Sequence, residues 1–299
     1  MIAPTPAAPE PERKSGLSRR LRLTIIAIVI IVIVVIGIIG YAVTGLADAQ
    51  TRVGNADKVL NTAVSHQNSL NTTVTDLNAK FNTLSSSTTF DPQQARTLFG
   101  QFAASETAAA VTDDQDDASL AASRATLSQK EWLTVFARGS LDKEAAKIDH
   151  ARKALSIAKT TATGYAQVGQ FFQTYYGAQV DFELVSTQVA SADLAGAGTT
   201  LATMRTDVDK GLQLSTGPGL PSELHPLMVD LGTLVTDFGK LLAAAAANDY
   251  TAITNAGNSV QADANKLGTY NVDTMMAEIA AYYKPMFDTI NSEMAKAAA

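Results

Sequence analysis

The chain of 299 residues contains no cysteine and only three histidines. Without cysteine, the protein has no disulfide bonds, no thiolate metal site and no cysteine nucleophile. An exported domain of this composition is stabilised by the burial of apolar side chains alone. The formal net charge is −6 although the first residues are basic. The rest of the chain is therefore distinctly acidic, which argues against nucleic acid as a partner.

Proline is confined to a few places along the chain. Four prolines lie within residues 1–22, where they predict an extended, disordered tail. No proline lies between Gln93 and Gly217, a condition that long uninterrupted helices require. Few segments show the alternation of β-branched residues that indicates strands. The sequence therefore predicts an all-α fold.

Long apolar runs are absent apart from one. Residues 23–43 read LTIIAIVIIVIVVIGIIGYAV, and no charged residue lies between Arg22 and Asp48. At about 1.5 Å per residue, this run is long enough to cross a hydrocarbon core of roughly 30 Å. It predicts a transmembrane helix over 23–44, and the basic residues before it predict a cytoplasmic tail over 1–22. Residues 45–299 are then expected outside the membrane as an elongated antiparallel helical bundle.

Two features of this topology have alternatives. Ala47-Asp48-Ala49 fits a small-x-small cleavage pattern, so a signal peptide cleaved after Ala49 is the alternative to an uncleaved anchor. The apolar run is longer than the about 7–15 residues of a signal-peptide core, which favours the anchor. The outer part is either one bundle or two sub-bundles, about 45–160 and 161–299.

Apolar residues recur in two long heptad registers. In the first, from Leu46 to Leu84, Gln67 is the one polar residue in an otherwise apolar seam. The second runs from Leu141 to about Ala190. Both indicate coiled-coil-like helices that need a partner along the seam. Because the two have similar lengths, we expect them to pack within one chain, which predicts a monomer or weak homo-oligomer.

A weak internal repeat appears at an offset of 56 residues. Six of the thirty positions from 181 to 210 are identical to their counterparts over 237–266. The shared residues include Asp193 and Asp249, each at a predicted turn. We interpret the repeat as a duplicated helical hairpin whose turn carries an aspartate cap. Convergence on a common hairpin pattern is the alternative.

A cluster of aspartates is the best candidate for a metal site. It comprises Asp113, Asp114, Asp116 and Asp117. Carboxylate oxygens suit Ca²⁺, but the spacing fails the calcium-loop pattern, since Ala118 stands where glycine is needed and Arg124 where a bidentate glutamate belongs. A solvated acidic turn that favours the N-terminus of the next helix is the simpler interpretation.

The densest aromatic cluster lies in the second register. The candidates for lining a ligand pocket are Tyr165, Phe172, Tyr175 and Tyr176. Rings between helices can bind a small ligand. Core packing, with the tyrosine hydroxyls reaching the surface, is the favoured alternative.

Catalytic motifs are missing from the sequence. His66, His150 and His225 are far apart and form no zinc-binding motif. No phosphate-binding loop, dinucleotide fingerprint or nucleophile elbow is present. The sequence therefore argues against an enzyme without excluding one, and it predicts no cofactor.

One span before a helical bundle resembles, in outline, the sensory halves of chemoreceptors and sensor kinases. The longest apolar run after Val43 is 241–247, too short to recross the membrane. We therefore favour a single-pass, membrane-anchored, non-enzymatic protein-interaction or spacer module of the cell envelope. Its expected partners are the lipid bilayer and an envelope protein. A sensor-like small-ligand module is the first alternative, and a hydrolase with an unrecognised site is the second.

Overall fold

The described part of the chain folds into seven α-helices and contains no strands. A computed structural model describes residues 56–86, 90–127 and 138–298. Its helices are α1 (Ala56–Ser86), α2 (Pro92–Leu127), α3 (Arg138–Ala190), α4 (Leu194–Leu214), α5 (Leu224–Ala246), α6 (Tyr250–Leu267) and α7 (Val272–Ala298). The predicted all-α fold is confirmed.

The predicted tail, span and cleavage site lie outside the described residues. So do the first three positions of the first heptad register. None of the seven described helices combines the length and the apolar character needed to cross a bilayer. The predicted span at 23–44 therefore stays a prediction.

Helix α3 is the central element of the fold. It contains 53 residues without a break, which corresponds to roughly 80 Å at the helical rise. Helix α2 lies antiparallel along it: the rings of Phe99 and Phe172 stack 5.1 Å apart, and Arg124 Nε lies 3.2 Å from Asp149. The absence of proline and the regular apolar register allow both helices to run this far.

The two halves of α3 contact different helices. Along its first half it packs antiparallel to α7, where the rings of Tyr165 and Tyr283 stack with centroids 4.2 Å apart. Along its second half it packs antiparallel to α4, where Gly177 leaves room for the Asp207 carboxylate. The predicted division at residue 160 therefore falls inside one continuous helix.

Helix α1 packs along α2 and not along α3, so the expected pairing of the two heptad registers is wrong. The buried seam residues are Ala56, Leu60, Ala63, Leu77 and Leu84. At the start of α1, Leu60 joins Leu120 of α2, Ile148 of α3 and Ala297 of α7 in one apolar cluster. The start of α1, the end of α2, the start of α3 and the end of α7 therefore meet at one end of the bundle, which we call the α1 end.

The internal repeat consists of two helical hairpins. The first hairpin, residues 181–210, joins the end of α3 to α4; the second hairpin, residues 237–266, joins α5 to α6. In each, the predicted aspartate begins the second helix. The carboxylate of Asp193 accepts the main-chain N–H three residues later at 2.9 Å, and that of Asp249 does the same at 3.0 Å. The structure thus contains both predicted hairpins, each with its aspartate cap.

The backbone of the two turns also coincides. Ala192 and Asn248, which occupy equivalent positions, both adopt the left-handed conformation, with φ of 61° and 54°. In each turn, the following residue donates its N–H to the carbonyl five residues earlier, at 2.9 and 3.1 Å. This arrangement is a Schellman C-cap. The hairpins contact each other through equivalent rings, since Phe182 and Phe238 lie 5.9 Å apart.

Candidate functional site

The four aspartates lie within helix α2, so their interpretation as a turn was wrong. The antiparallel register of α2 and α3 sets basic residues opposite them. Asp114 accepts from Lys159 at 2.5 Å, and Asp117 binds Arg152 at 2.8 Å. These ion pairs offset the repulsion between the neighbouring carboxylates, and the helix continues through the acidic stretch.

The helical geometry also separates the four carboxylates. Successive residues of a helix point in different directions. Asp116 therefore lies 3.0 Å from His66 of α1, while Asp114 and Asp117 face α3. Asp113 is buried, with an exposed fraction of 2%. Within the described ranges, no group of three or more His, Cys, Asp or Glu side chains is arranged to hold a metal ion.

The four aromatic candidates pack into the core between helices. Tyr165, Phe172 and Tyr176 are buried, with exposed fractions of 2% or less, and Tyr175 is partly buried. Burial raises the pKa of Tyr165 and of Tyr176 well above the ordinary value of 10. These hydroxyls stay protonated at neutral pH. None of the four residues lines either of the two cavities described below.

The three histidines lie in separate surroundings. His66 pairs with Asp116, and His150 Nδ1 lies 2.6 Å from Glu293. His225 Nδ1 lies 3.0 Å from the Ser215 hydroxyl. That hydroxyl donates to the Leu212 carbonyl at 2.7 Å, and Ser215 is buried. The Ser215–His225 pair therefore lacks the exposed, base-directed hydroxyl of a nucleophile.

Glu293 is a buried carboxylate that sequence reasoning missed. Lys296 donates to it at 2.8 Å, His150 lies 2.6 Å away, and Lys153 donates at 3.1 Å. These hydrogen bonds, in that order of effect, lower the pKa of Glu293 to about 2. The cluster joins α7 to α3. Only the i,i+3 spacing to Lys296 is visible in the sequence, since the other two partners lie about 140 residues away.

Glu106 is a second buried carboxyl that sequence reasoning missed. It has an exposed fraction of 6%, and burial, together with the nearby charge of Asp113, raises its pKa to about 8. It is therefore largely protonated at neutral pH. The sequence does carry a signal for its burial. The buried face of α2 repeats at spacings of three and four residues, and Glu106 falls in this pattern between Phe102 and Ala109.

A third buried group lies between α2, α3 and α4. Asp207 Oδ2 lies 3.5 Å from Arg96 Nη2, and the neighbouring Asp181 has an exposed fraction of 7%. Among the described residues, no hydrogen-bond donor reaches Oδ2 of either aspartate. Burial raises the pKa of both carboxyls, and Asp207 raises that of Asp181 further. The equivalent carboxyls in the second hairpin are Asp237 and Asp263.

The cavities of the described surface include two that lie between helices. One, of about 330 Å³, lies between α4 and α5 and is rimmed by Arg205, Asp209 and Lys240. Its charges already pair: Arg205 binds Asp209 at 3.1 Å, and Lys240 binds Asp237 at 2.6 Å. The other, of about 250 Å³, lies between α3, α7 and the turn after α4. Its lining includes Thr160, Thr163, Gln167 and Tyr282.

The sequence matches no protein-family model, no curated protein and no solved structure. The class of protein is therefore defined by the fold alone. It is an all-α protein in which one long helix connects an ion-paired end to two helical hairpins with the same turn geometry.

Proposed function

We propose that the protein is a membrane-anchored, non-enzymatic spacer and protein-interaction module outside the membrane. One observation carries the proposal: α3 runs unbroken for 53 residues, from the α1 end to the turn of the first hairpin. An anchor before α1 would hold the α1 end near the bilayer. The hairpin turns would then stand roughly 80 Å away.

The direction of the helices supports this arrangement. Helix α1 begins at Ala56, close to the predicted span at 23–44, and its first turns pack beside the start of α3. Helix α4 runs back along the second half of α3, and α5 runs outward again beside α4, so both hairpin turns lie at the end opposite to the α1 end. Ion pairs between α2 and α3 hold α2 alongside α3, so two helices run along the same axis.

The end of the bundle opposite to the α1 end exposes a residue suited to binding a protein partner. Tyr250 directly follows the turn of the second hairpin and has an exposed fraction of 80%. The equivalent residue of the first hairpin, Leu194, is partly buried against the core. Exposed tyrosines are enriched among the residues that dominate binding energy at protein interfaces. We therefore assign partner binding to the second turn.

Single cysteines test the geometry, because the natural chain contains none. We expect Tyr250→Cys and the matched control Lys58→Cys to react with a membrane-impermeant dye on intact cells. Energy transfer from the dye to an acceptor in the lipid should be strong at Lys58→Cys and weak at Tyr250→Cys. Labelling that requires permeabilised cells would contradict the orientation. Equal transfer from the two positions would contradict the spacer role.

A further inference from the structure

One buried carboxylate near the α1 end is surrounded by three basic side chains. The carboxylate is that of Glu293 on α7. Lys296 Nζ and Lys153 Nζ lie 2.8 and 3.1 Å from the same oxygen, Oε1, and His150 Nδ1 lies 2.6 Å from the other, Oε2. Lys296 belongs to α7, whereas His150 and Lys153 belong to α3. Two helices therefore bring basic groups to one point, and we call these four residues the Glu293 cluster.

The Glu293 cluster carries more positive than negative charge. Its two ammonium groups share a single carboxylate, and neither has another acidic partner among the described residues. His150 adds a further charge whenever it is protonated. The adjacent Asp149 is already paired with Arg124, and Lys159, further along α3, has a carboxylate of its own in Asp114. The cluster therefore lacks at least one negative charge.

The basic side chains of the cluster are accessible from solvent, whereas the carboxylate is not. The side chains of Lys153 and Lys296 are 60% and 52% exposed. Each lysine has three N–H groups, of which the carboxylate takes one. Because an ionised carboxylate can only accept, Nδ1 of His150 donates to it, and Nε2 is left available. The buried carboxylate thus fixes the basic groups from within, and their outer sides keep several N–H donors.

The charge and the donors of the cluster select the chemistry of a ligand. The missing negative charge requires an anion, and several ammonium donors suit a group with several oxygen acceptors. Lysine binds phosphate as a point charge, whereas the planar fork of arginine suits a carboxylate held by two parallel bonds. The cluster contains two lysines and no arginine. A phosphate group therefore matches it better than a carboxylate does.

We propose that the Glu293 cluster binds a phosphate group between its two lysines. The cluster lies at the α1 end, because Ala297, about one turn after Glu293, packs in the apolar cluster at that end. In the proposed function this end lies near the bilayer, where the phosphate belongs to a lipid headgroup. The assignment to a lipid rests on the proposed function, whereas the binding of phosphate does not.

Titration calorimetry of the full chain in a neutral detergent, at constant ionic strength, tests this site. The probes are inorganic phosphate and a short-chain phosphatidylglycerol, with acetate and a short-chain diacylglycerol as controls. We expect saturable binding of at least one phosphate probe and of neither control. Lys153→Gln and Lys296→Gln should each weaken that binding at least fivefold, because each removes one of the two ammonium groups.

Matched variants keep the outcome interpretable. Lys284→Gln should bind as the wild type does, since this lysine is similarly exposed on α7 but has its own partner in Asp288. Lys296→Arg keeps the charge and should retain most of the binding that Lys296→Gln loses. The substituted lysines are more than half exposed, so all variants should melt within a few degrees of the wild type.

Three results would overturn the proposal. The first is the absence of saturable binding by both phosphate probes. The second is equal binding by the wild type and by both glutamine variants of Lys153 and Lys296. The third is binding of acetate as tight as that of inorganic phosphate, which would show a response to charge alone.

The two phosphate probes distinguish the source of the ligand. Phosphatidylglycerol that binds at least tenfold more tightly than inorganic phosphate, and more weakly to both glutamine variants, would assign the site to a lipid headgroup. Inorganic phosphate that binds as tightly or more tightly would assign it to a free phosphate. If cysteine labelling contradicts the proposed orientation, the lipid assignment is lost while the binding of inorganic phosphate is unaffected. Failure of the proposed function is thus told apart from failure of the site.

Discussion

The two hairpins share one turn but differ in their outer faces. In the first hairpin, the outer face of α4 is covered by α5, and Val208 packs close to Gly232. Val208 has an exposed fraction of 1%. The equivalent face of α6 carries Gly257 and Ala264, and no described atom lies within 4 Å of a Cβ built on Gly257. Ala256 is the one fully buried residue that α6 contributes.

This difference shows which features of the repeat are local and which depend on neighbours. The aspartate cap and the left-handed residue are set within a few residues, so both hairpins keep them. The residues on the outer face differ according to whether another helix packs against it. Helix α6 is the last helix of the two hairpins. The small residues on its outer face leave little apolar surface to bury, as is typical of terminal repeats.

The largest expected effect comes from placing a charge on the two outer faces. Val208→Asp puts an unpaired carboxylate into the contact between α4 and α5, and we expect a loss of about 3 kcal/mol or more in unfolding free energy. Ala264→Asp at the equivalent exposed position should change it by no more than about 0.5 kcal/mol. Urea unfolding followed by circular dichroism measures both. Similar losses would mean that the face of α6 is also covered.

A second contrast concerns the buried aspartates. Asp181→Asn removes the charge that repels the neighbouring Asp207 carboxyl, so we expect a gain of about 1 kcal/mol at pH 7. Asp237→Asn instead removes the ion pair with Lys240 and should cost up to about 0.5 kcal/mol.

The pH dependence of this gain follows from the direction of the pKa shift. The pKa of Asp181 is raised in the folded state, so the wild type is favoured below the ordinary carboxyl pKa and loses that contribution as the pH rises through the folded value. The advantage of Asp181→Asn should therefore shrink when unfolding is measured at pH 3 to 4. An advantage that persists there would point to a cause other than charge.

The aspartate caps should contribute equally in the two hairpins. We expect Asp193→Ala and Asp249→Ala each to cost about 1 kcal/mol, since each removes one side-chain bond to an otherwise unpaired N–H. Thermal melts of the two single variants and of the double variant check this. The double variant should show the sum of both losses, because the caps share no partner. A cost confined to one hairpin would break the equivalence of the turns.

The smallest effect is expected at the left-handed residues. Alanine is strained in this conformation and asparagine tolerates it, so Ala192→Gly should gain about 0.5 kcal/mol after the entropy of glycine in the unfolded chain is subtracted. Asn248→Gly should be close to neutral. Chemical unfolding with several replicates resolves the difference. A loss at Ala192→Gly would indicate that its methyl group makes a stabilising contact.

The sequence predicted the parts of the fold that depend on short spacings. The helical registers and both aspartate caps follow from residues that lie within one or two turns of each other. The acidic stretch was misread because its charges are balanced by Arg152 and Lys159, which lie 35 and 45 residues further along the chain. Local repulsion alone would favour a turn there, and pairing across helices reverses that preference.

The candidate site was harder to predict for the same reason. The aromatic cluster is visible in the sequence, but its rings pack against Phe99 and Tyr283 from other helices. The cavity between α3 and α7 brings Gln167 of α3 beside Tyr282 of α7. Neither residue belongs to a motif, and only the antiparallel packing of α7 on α3 places them together.

Helix α3 packs against α2, α4 and α7, and this affects the order in which these helices fold. Helices α2 and α4 adjoin α3 in sequence, so their docking closes short loops. Helix α7 packs on the first half of α3 only after more than a hundred intervening residues are ordered, as the Tyr165–Tyr283 stack shows. Loop closure over that distance costs more entropy, and contacts of this range slow folding. We therefore expect the α2–α3–α4 unit to form early and α7 to dock last, so the cavity between α3 and α7 is one of the final features to be completed.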